Sequence, residues 1–147
     1  MQTFVPYSNI QKIARSLDRL RLGKQRHESL TILNVLAKKK LDPSAKVGWA
    51  NHPAVLMWKG HEDYLRLYTI GMCVEWVRRG YEDQTLPLFI QGASWDRTPV
   101  APPWWGDERV HESHKSKLIQ KLPEHYLPLF PNTPNNLEYF WPSKEGY

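Results

Sequence analysis

From Ile10 to Leu36 the apolar residues return every third or fourth position: Ile10, Ile13, Ala14, Leu17 and Leu20, then Leu30, Leu33 and Leu36. That is the period of one helix face. Ser8 is the expected N-cap of a first helix. Gly23 interrupts the pattern, so a tight turn there and a second helix beyond it are expected. The second helix ends in Lys38-Lys39-Lys40, where cations suit the dipole, and Leu41-Asp42-Pro43-Ser44 breaks it. Residues 45–52 read as irregular, and Asn51-His52-Pro53 reads as a helix start with proline in the first turn. The chain is then mostly helical as far as Arg79, with Gly60 kinking or splitting it. Arg78-Arg79-Gly80 is a strong stop, with cations in the last turn and then a glycine able to take positive φ.

The remainder is punctuated by proline. Pro87, Pro99, Pro102 and Pro103 make residues 81–106 a long ordered loop. Asp107 caps a further helix that reaches Leu122, and Pro123 ends it. From Pro128 to Tyr147 the chain is expected to wrap the body without regular structure. No repeat, linker or low-complexity segment interrupts it. The expected fold is therefore mainly α: a single compact helical domain over residues 1–147, with long Pro/aromatic-rich loops and tail.

Composition excludes several classes. Hydrophobic residues at 41% and charged residues at 24% exclude wholesale disorder. No apolar run approaches the roughly 20 residues of a membrane span. The start, Met1 to Tyr7, has neither the basic head nor the apolar stretch of a secretory signal. The one cysteine, Cys73, makes neither an internal disulfide nor a thiolate metal cage. A cytoplasmic protein without membrane contact is the expectation.

Charge is unevenly spread. Residues 1–40 hold nine basic residues against Asp18 and Glu28, a net +7, so the other 107 residues sum to −2 within the overall +5. A positive N-terminal third on a balanced body suggests a side that faces a polyanion. A basic helical surface that only keeps the chain soluble is the competing reading.

Three constellations carry chemistry. In the run from Leu17 to Glu28, Arg19, Arg21, Lys24, Arg26 and His27 surround one glutamate, Glu28. Cations so placed can follow a phosphate backbone, and a carboxylate among them would repel DNA unless catalysis or a neighbour requires it. The plain alternative is a Lys24–Glu28 pair one turn apart. The second run, Gly48 to Trp58, sets Trp49 and Trp58 around His52 at a helix start. The pair stacks on bases or packs the core, and core packing is the favoured reading, with His52 bonded to backbone. In the third, Lys117 and Lys121 lie one turn apart and either contact phosphate or form a solvated face. His111 and His114 share the same spacing but lack further ligands, so no metal is expected. Pro102-Pro103-Trp104-Trp105 reads as a clamp over the core. There is no P-loop, Rossmann fingerprint, GxSxG elbow or Cys/His nucleophile pattern, and no cofactor is expected.

Taken together, three stretches resemble a known family. They are Leu17-Asp18 through Leu22 to Glu28; His52 into the helix ending Arg78-Arg79-Gly80-Tyr81; and His111-Glu112-Ser113 with Lys117-Leu118, Lys121, Pro123 and Tyr126. In them the chain resembles the pyrimidine-dimer DNA glycosylase/AP lyases, the small helical phage-type excision enzymes also called endonuclease V. It resembles still more the short relatives that carry the run Arg21-Leu22-Gly23-Lys24-Gln25-Arg26, whose activity is assumed by kinship.

The resemblance implies base excision on double-stranded DNA with a lesion or modified base, by a monomer. It implies that an α-amine attacks C1′ of the damaged nucleotide, forms a Schiff base and cuts the strand by β-elimination. An α-amine suits that role because its ordinary pKa of about 7.7–8.0 leaves a neutral fraction near pH 7. Glu28 matches the family's glutamate. Arg21 and His27 fall on positions lining the site, Lys117 and Lys121 on phosphate-contacting positions, and Lys24 and Arg26 complete the basic surface. Residue 2 departs from the pattern: Gln2 stands where the family exposes a small residue after Met1 is removed. The amine then belongs to Met1, with Thr3 after a two-residue trim or Lys24 as the other candidates.

Two further classes remain open on the residues alone. One is a non-catalytic nucleic-acid-binding protein using the same cations. The other is a protein-interaction module using exposed tryptophans.

Overall fold

The computed structural model describes residues 1–91 and 93–147. Among them the regular structure is entirely helical: α1 (Ile10–Ser16), α2 (Arg19–Leu41), α3 (Pro53–Leu56), α4 (Glu62–Arg78), α5 (Leu86–Ile90), α6 (Glu108–Lys121) and α7 (Pro123–Tyr126), with one 3-10 turn at Pro142–Lys144.

The first helix is capped by Asn9 rather than Ser8. Asn9 has extended backbone, and its side chain accepts from Lys12 N at 2.9 Å, satisfying an orphan N–H of the first turn. The break expected at Gly23 falls at Leu17-Asp18, both extended, and α2 runs through Gly23 without interruption. Gly23 serves packing instead. A Cβ there would lie 3.1 Å from two atoms of the Trp76 ring on α4, so any larger residue would make that ring shift by a few tenths of an ångström. Leu20, which the sequence put on the face of the first helix, belongs to α2 and is exposed.

The other stops fall where the sequence puts them. His52 caps α3, its Nδ1 accepting from Ala54 N at 3.0 Å, and Pro53 occupies the first turn. Gly60, at φ +83°, splits the helical stretch between α3 and α4. At the end of α4, Glu75 holds both Arg78 and Arg79, and hydrogen bonds led by Arg78 outweigh burial to bring its carboxyl down to about 2. Arg79 donates onward to the carbonyls of Ala14 and Leu17, closing the C-terminal end of α1. Asp107 caps α6 by accepting from Arg109 N.

Part of the expected 81–106 loop is helical: Pro87 sits in the first turn of α5, where its missing N–H costs nothing. Beyond α7 the tail has no regular structure apart from the 3-10 turn. It is fastened to α6 by two serines: Phe140 N donates to Ser113 Oγ and Leu137 N to Ser116 Oγ.

Two of the tryptophans make the centre of the core. Trp58 and Trp104 are fully buried with ring centroids 5.0 Å apart, edge to face, and Tyr68, Tyr126 and Phe89 pack in the same cluster. Into this core the chain threads its own beginning, residues Thr3 to Pro6, all buried.

Candidate active site

The N-terminal segment is held by side chains from three helices and the α3–α4 connection. Thr3 Oγ1 accepts from the Trp58 indole at 2.8 Å. Phe4 donates its N–H to Gln25 Oε1 at 2.9 Å and accepts from the Tyr68 hydroxyl at 2.8 Å. Val5 is gripped on both sides of its peptide: its N–H donates to His114 Nδ1 at 2.8 Å, and its carbonyl meets His111 Nδ1 at 2.7 Å. The two histidines are thus anchors of this strap. Among the described residues no group of three metal-ligating side chains gathers anywhere.

The strap leaves Met1 and Gln2 at a cleft of about 350 Å³, near the low end of volumes that hold a small molecule. One wall comes from α2, where Arg21, Lys24, Gln25 and Glu28 stand at helical spacing on one face. His52 and Lys121, in the last turn of α6, contribute from two other sides. Tyr139 and Trp141, with ring centroids 5.0 Å apart, form an aromatic back wall.

Arg21 is positioned by Asp18, whose Oδ2 lies 3.1 Å from Nη1. Asp18 also accepts from the Tyr126 hydroxyl. Burial would raise the Asp18 carboxyl, but the Tyr126 hydrogen bond and Arg21 lower it below its ordinary value. Lys24 and Lys121 are exposed. Among the described residues Glu28 forms no ion pair, so the Lys24–Glu28 pair is not made. His52 lies in the field of both ends of the site. Its pKa is lowered by burial first and the Met1 ammonium second, against an opposite pull from Glu28.

Of the residues singled out in the sequence, Met1, Arg21, Lys24, Glu28 and Lys121 therefore line one cleft. Three others lie elsewhere. Arg26 points the other way around α2, ion-paired with Asp83 at 2.5 Å and lying 4.4 Å over the Trp76 ring. His27 is exposed on α2 outside the cleft. Lys117 is held 3.1 Å from Glu138 and 5.3 Å over the Tyr139 ring, and does not line the cleft.

The sequence reading favoured His52 as a core residue bonded to backbone. It does make that bond, yet its ring also faces the cleft. Tyr139 and Trp141 have no sequence signal for this site, because tail aromatics carry no spacing that ties them to α2.

The described residues are helical throughout their regular structure, and the sequence that folds this way falls in a known class of protein. The chain belongs to the pyrimidine dimer DNA glycosylase family, which matches residues 1–86. That is a family of DNA repair, acting on damaged DNA. The matched part contains Met1, Arg21, Lys24, Glu28 and His52. Lys121, Tyr139 and Trp141 are contributed from beyond it. No curated protein and no solved structure matches the chain. Among the described residues no helix is long and apolar enough to cross a membrane.

Proposed function

We propose that the protein is a DNA glycosylase with AP-lyase activity on damaged or modified pyrimidines, working as an intracellular monomer on double-stranded DNA. The observation that carries this reading is the shared cleft of Met1 and Glu28, in which the carboxylate is not neutralised by Lys24. The reading treats residues 1–147 as one domain, since Lys121 and Trp141 complete a site built mainly by α2.

The neutral amine of Met1 attacks C1′ of the damaged nucleotide. The C1′–N bond breaks, and the base leaves with the bonding pair and takes up a proton. Glu28 assists sugar opening and accepts the proton the amine sheds as the imine forms. Loss of a C2′ proton then expels the 3′ phosphate, which breaks the strand, and water hydrolyses the imine to return the amine. Arg21, Lys24 and Lys121 hold flanking phosphates, and extrusion of the nucleotide costs a few kcal/mol of unstacking.

Borohydride reduction in the presence of a duplex with one abasic site should leave a covalent protein–DNA adduct. Glu28→Gln should suppress cleavage while binding is largely kept. Absence of an adduct with abasic and ultraviolet-irradiated duplexes, alongside salt-sensitive binding, would instead establish a non-catalytic nucleic-acid-binding protein.

A further inference from the structure

Five of the seven tryptophans donate their indole N–H to a protein oxygen: Trp58, Trp76, Trp95, Trp104 and Trp105. The two with no such bond among the described residues are Trp141, in the back wall of the cleft, and Trp49. Trp49 is 58% exposed, the most of any tryptophan. Its backbone sits at φ +71°, where it is the one non-glycine residue with positive φ among the described residues. A bulky side chain is an outlier there, and outliers of this kind gather where a surrounding structure holds them for use. The neighbouring Gly48, which would take such a φ without strain, does not carry it.

The turn sets the ring beside His52. The Trp49 carbonyl accepts from His52 N at 2.9 Å, closing the turn that enters α3. The indole then meets the His52 ring at a centroid distance of 5.6 Å, edge to face. His52 also meets Trp141 at 6.2 Å, and Trp141 meets Tyr139 at 5.0 Å. A file of aromatic rings thus leads from the wall of the cleft, past His52, to an exposed indole that packs against His52 without itself lining the cleft.

We propose that Trp49 is a stacking platform, next to His52 of the cleft, for a nucleobase displaced from the duplex. Exposed aromatic rings bind displaced bases because every base offers a π-face, and the contact needs no particular sequence. Polar cleft groups would take the sugar and phosphates, while the indole takes the unstacked base and shields it from water. The proposal rests on the reading of the cleft as a nucleotide-extruding site.

The test uses the full chain and short duplexes that carry a tetrahydrofuran abasic analogue. 2-Aminopurine, bright when unstacked and quenched on an indole, is placed opposite the analogue or next to it. Trp49→Ala should weaken binding about 5- to 150-fold, the range for loss of one base–aromatic stack, and brighten the probe at one position. The slope of affinity against salt should not change, because no charge is lost. Trp49→Phe should keep most of the affinity. Trp49→Gly, which relieves the backbone, should melt no lower than wild type yet bind as weakly as Trp49→Ala. A purely structural tryptophan would give the reverse. Unchanged affinity and probe signal in Trp49→Ala, with the wild type still trapped by borohydride on a natural abasic site, would overturn this proposal alone. A wild type that neither forms the adduct nor prefers the analogue over intact duplex would overturn the reading beneath it as well.

Discussion

Arg26 and Lys24 are two residues apart in a basic run, yet the structure gives them opposite work, and Asp83→Asn tests that division. The Arg26 side chain is 10% exposed and that of Asp83 1%; the pair joins α2 to the segment before α5. Asp83 also accepts from Thr85 Oγ1 and from Leu86 N. Replacing its charge with an amide keeps the shape but leaves the guanidinium buried against Trp76 without a counter-charge. Breaking a buried pair by removing one partner costs about 3–5 kcal/mol. For a chain of this length about 2–4 °C is lost per kcal/mol, so Tm should fall by roughly 6–20 °C. The double variant Asp83→Asn/Arg26→Met should recover most of the loss, because an apolar side chain of similar length needs no partner.

The same pair sets a pH signature. Burial would raise the Asp83 carboxyl, but hydrogen bonds from Thr85, Arg26 and the Leu86 backbone overcome it and hold the group at about 2. A carboxyl lowered on folding contributes stability above its unfolded pKa of about 3.9, and that contribution is lost as pH falls toward the folded value. The gap between wild type and Asp83→Asn should therefore be full at pH 6 and shrink between about pH 4 and pH 2. Urea titrations across that range measure it. A variant within 1 kcal/mol of wild type at pH 7, where roughly 3–5 is expected, would refute the argument. So would an Arg26→Met variant whose DNA binding loses as much salt dependence as Lys24→Ala, since Arg26 would then face phosphate.

Lys24→Ala and Lys121→Ala should each reduce the slope of log affinity against log salt by about 0.9 in a binding titration. His114, fully buried, is held neutral by burial first and by His111 second, its pKa pushed down to about 3. Because the unfolded chain takes up that proton near 6.5, stability should fall by about 1.4 kcal/mol per unit as pH drops from 6.5 toward 3. His114→Gln should remove that dependence, and chemical denaturation at pH 7 and pH 5 reads it above the window in which Asp83 titrates. Gly23→Ala should destabilise by about 1–3 kcal/mol through its contact with Trp76, although alanine is the better helix former; calorimetry decides the sign.

Helix ends were legible where their signals are local. Pro53 behind His52, the Arg78-Arg79-Gly80 stop and the Asp107 cap each act within one turn, and each lies where the sequence reading put it. Gly23 misled, because a glycine that breaks a helix and one that admits a neighbour look alike until the neighbour is known. Trp76 lies more than fifty positions away. Placing the break at Gly23 also hid the phase of α2. With successive residues turned by about 100°, a helix that starts at Arg19 puts 21, 24, 25 and 28 on one face. It puts Leu22, Arg26, Ser29 and Leu33 on another, and those four are buried. The assignment of Lys24 to the cleft and Arg26 to the interior follows from that phase alone.

What placed the N-terminus had no local signal beyond the apolar Phe4 and Val5. Gln25, Tyr68, His111 and His114 reach the strap from 21 to 109 positions away, each spending its polar group on a backbone atom of Phe4 or Val5. The same bonds are core interactions, so stability and site geometry are not separable here. Protonating His114 would put a donor where the Val5 N–H needs an acceptor, so the proton is taken up only as the strap and the core around it give way together. Acid should thus disturb the cleft and the helices in one transition, read at the same pH by borohydride trapping and by circular dichroism.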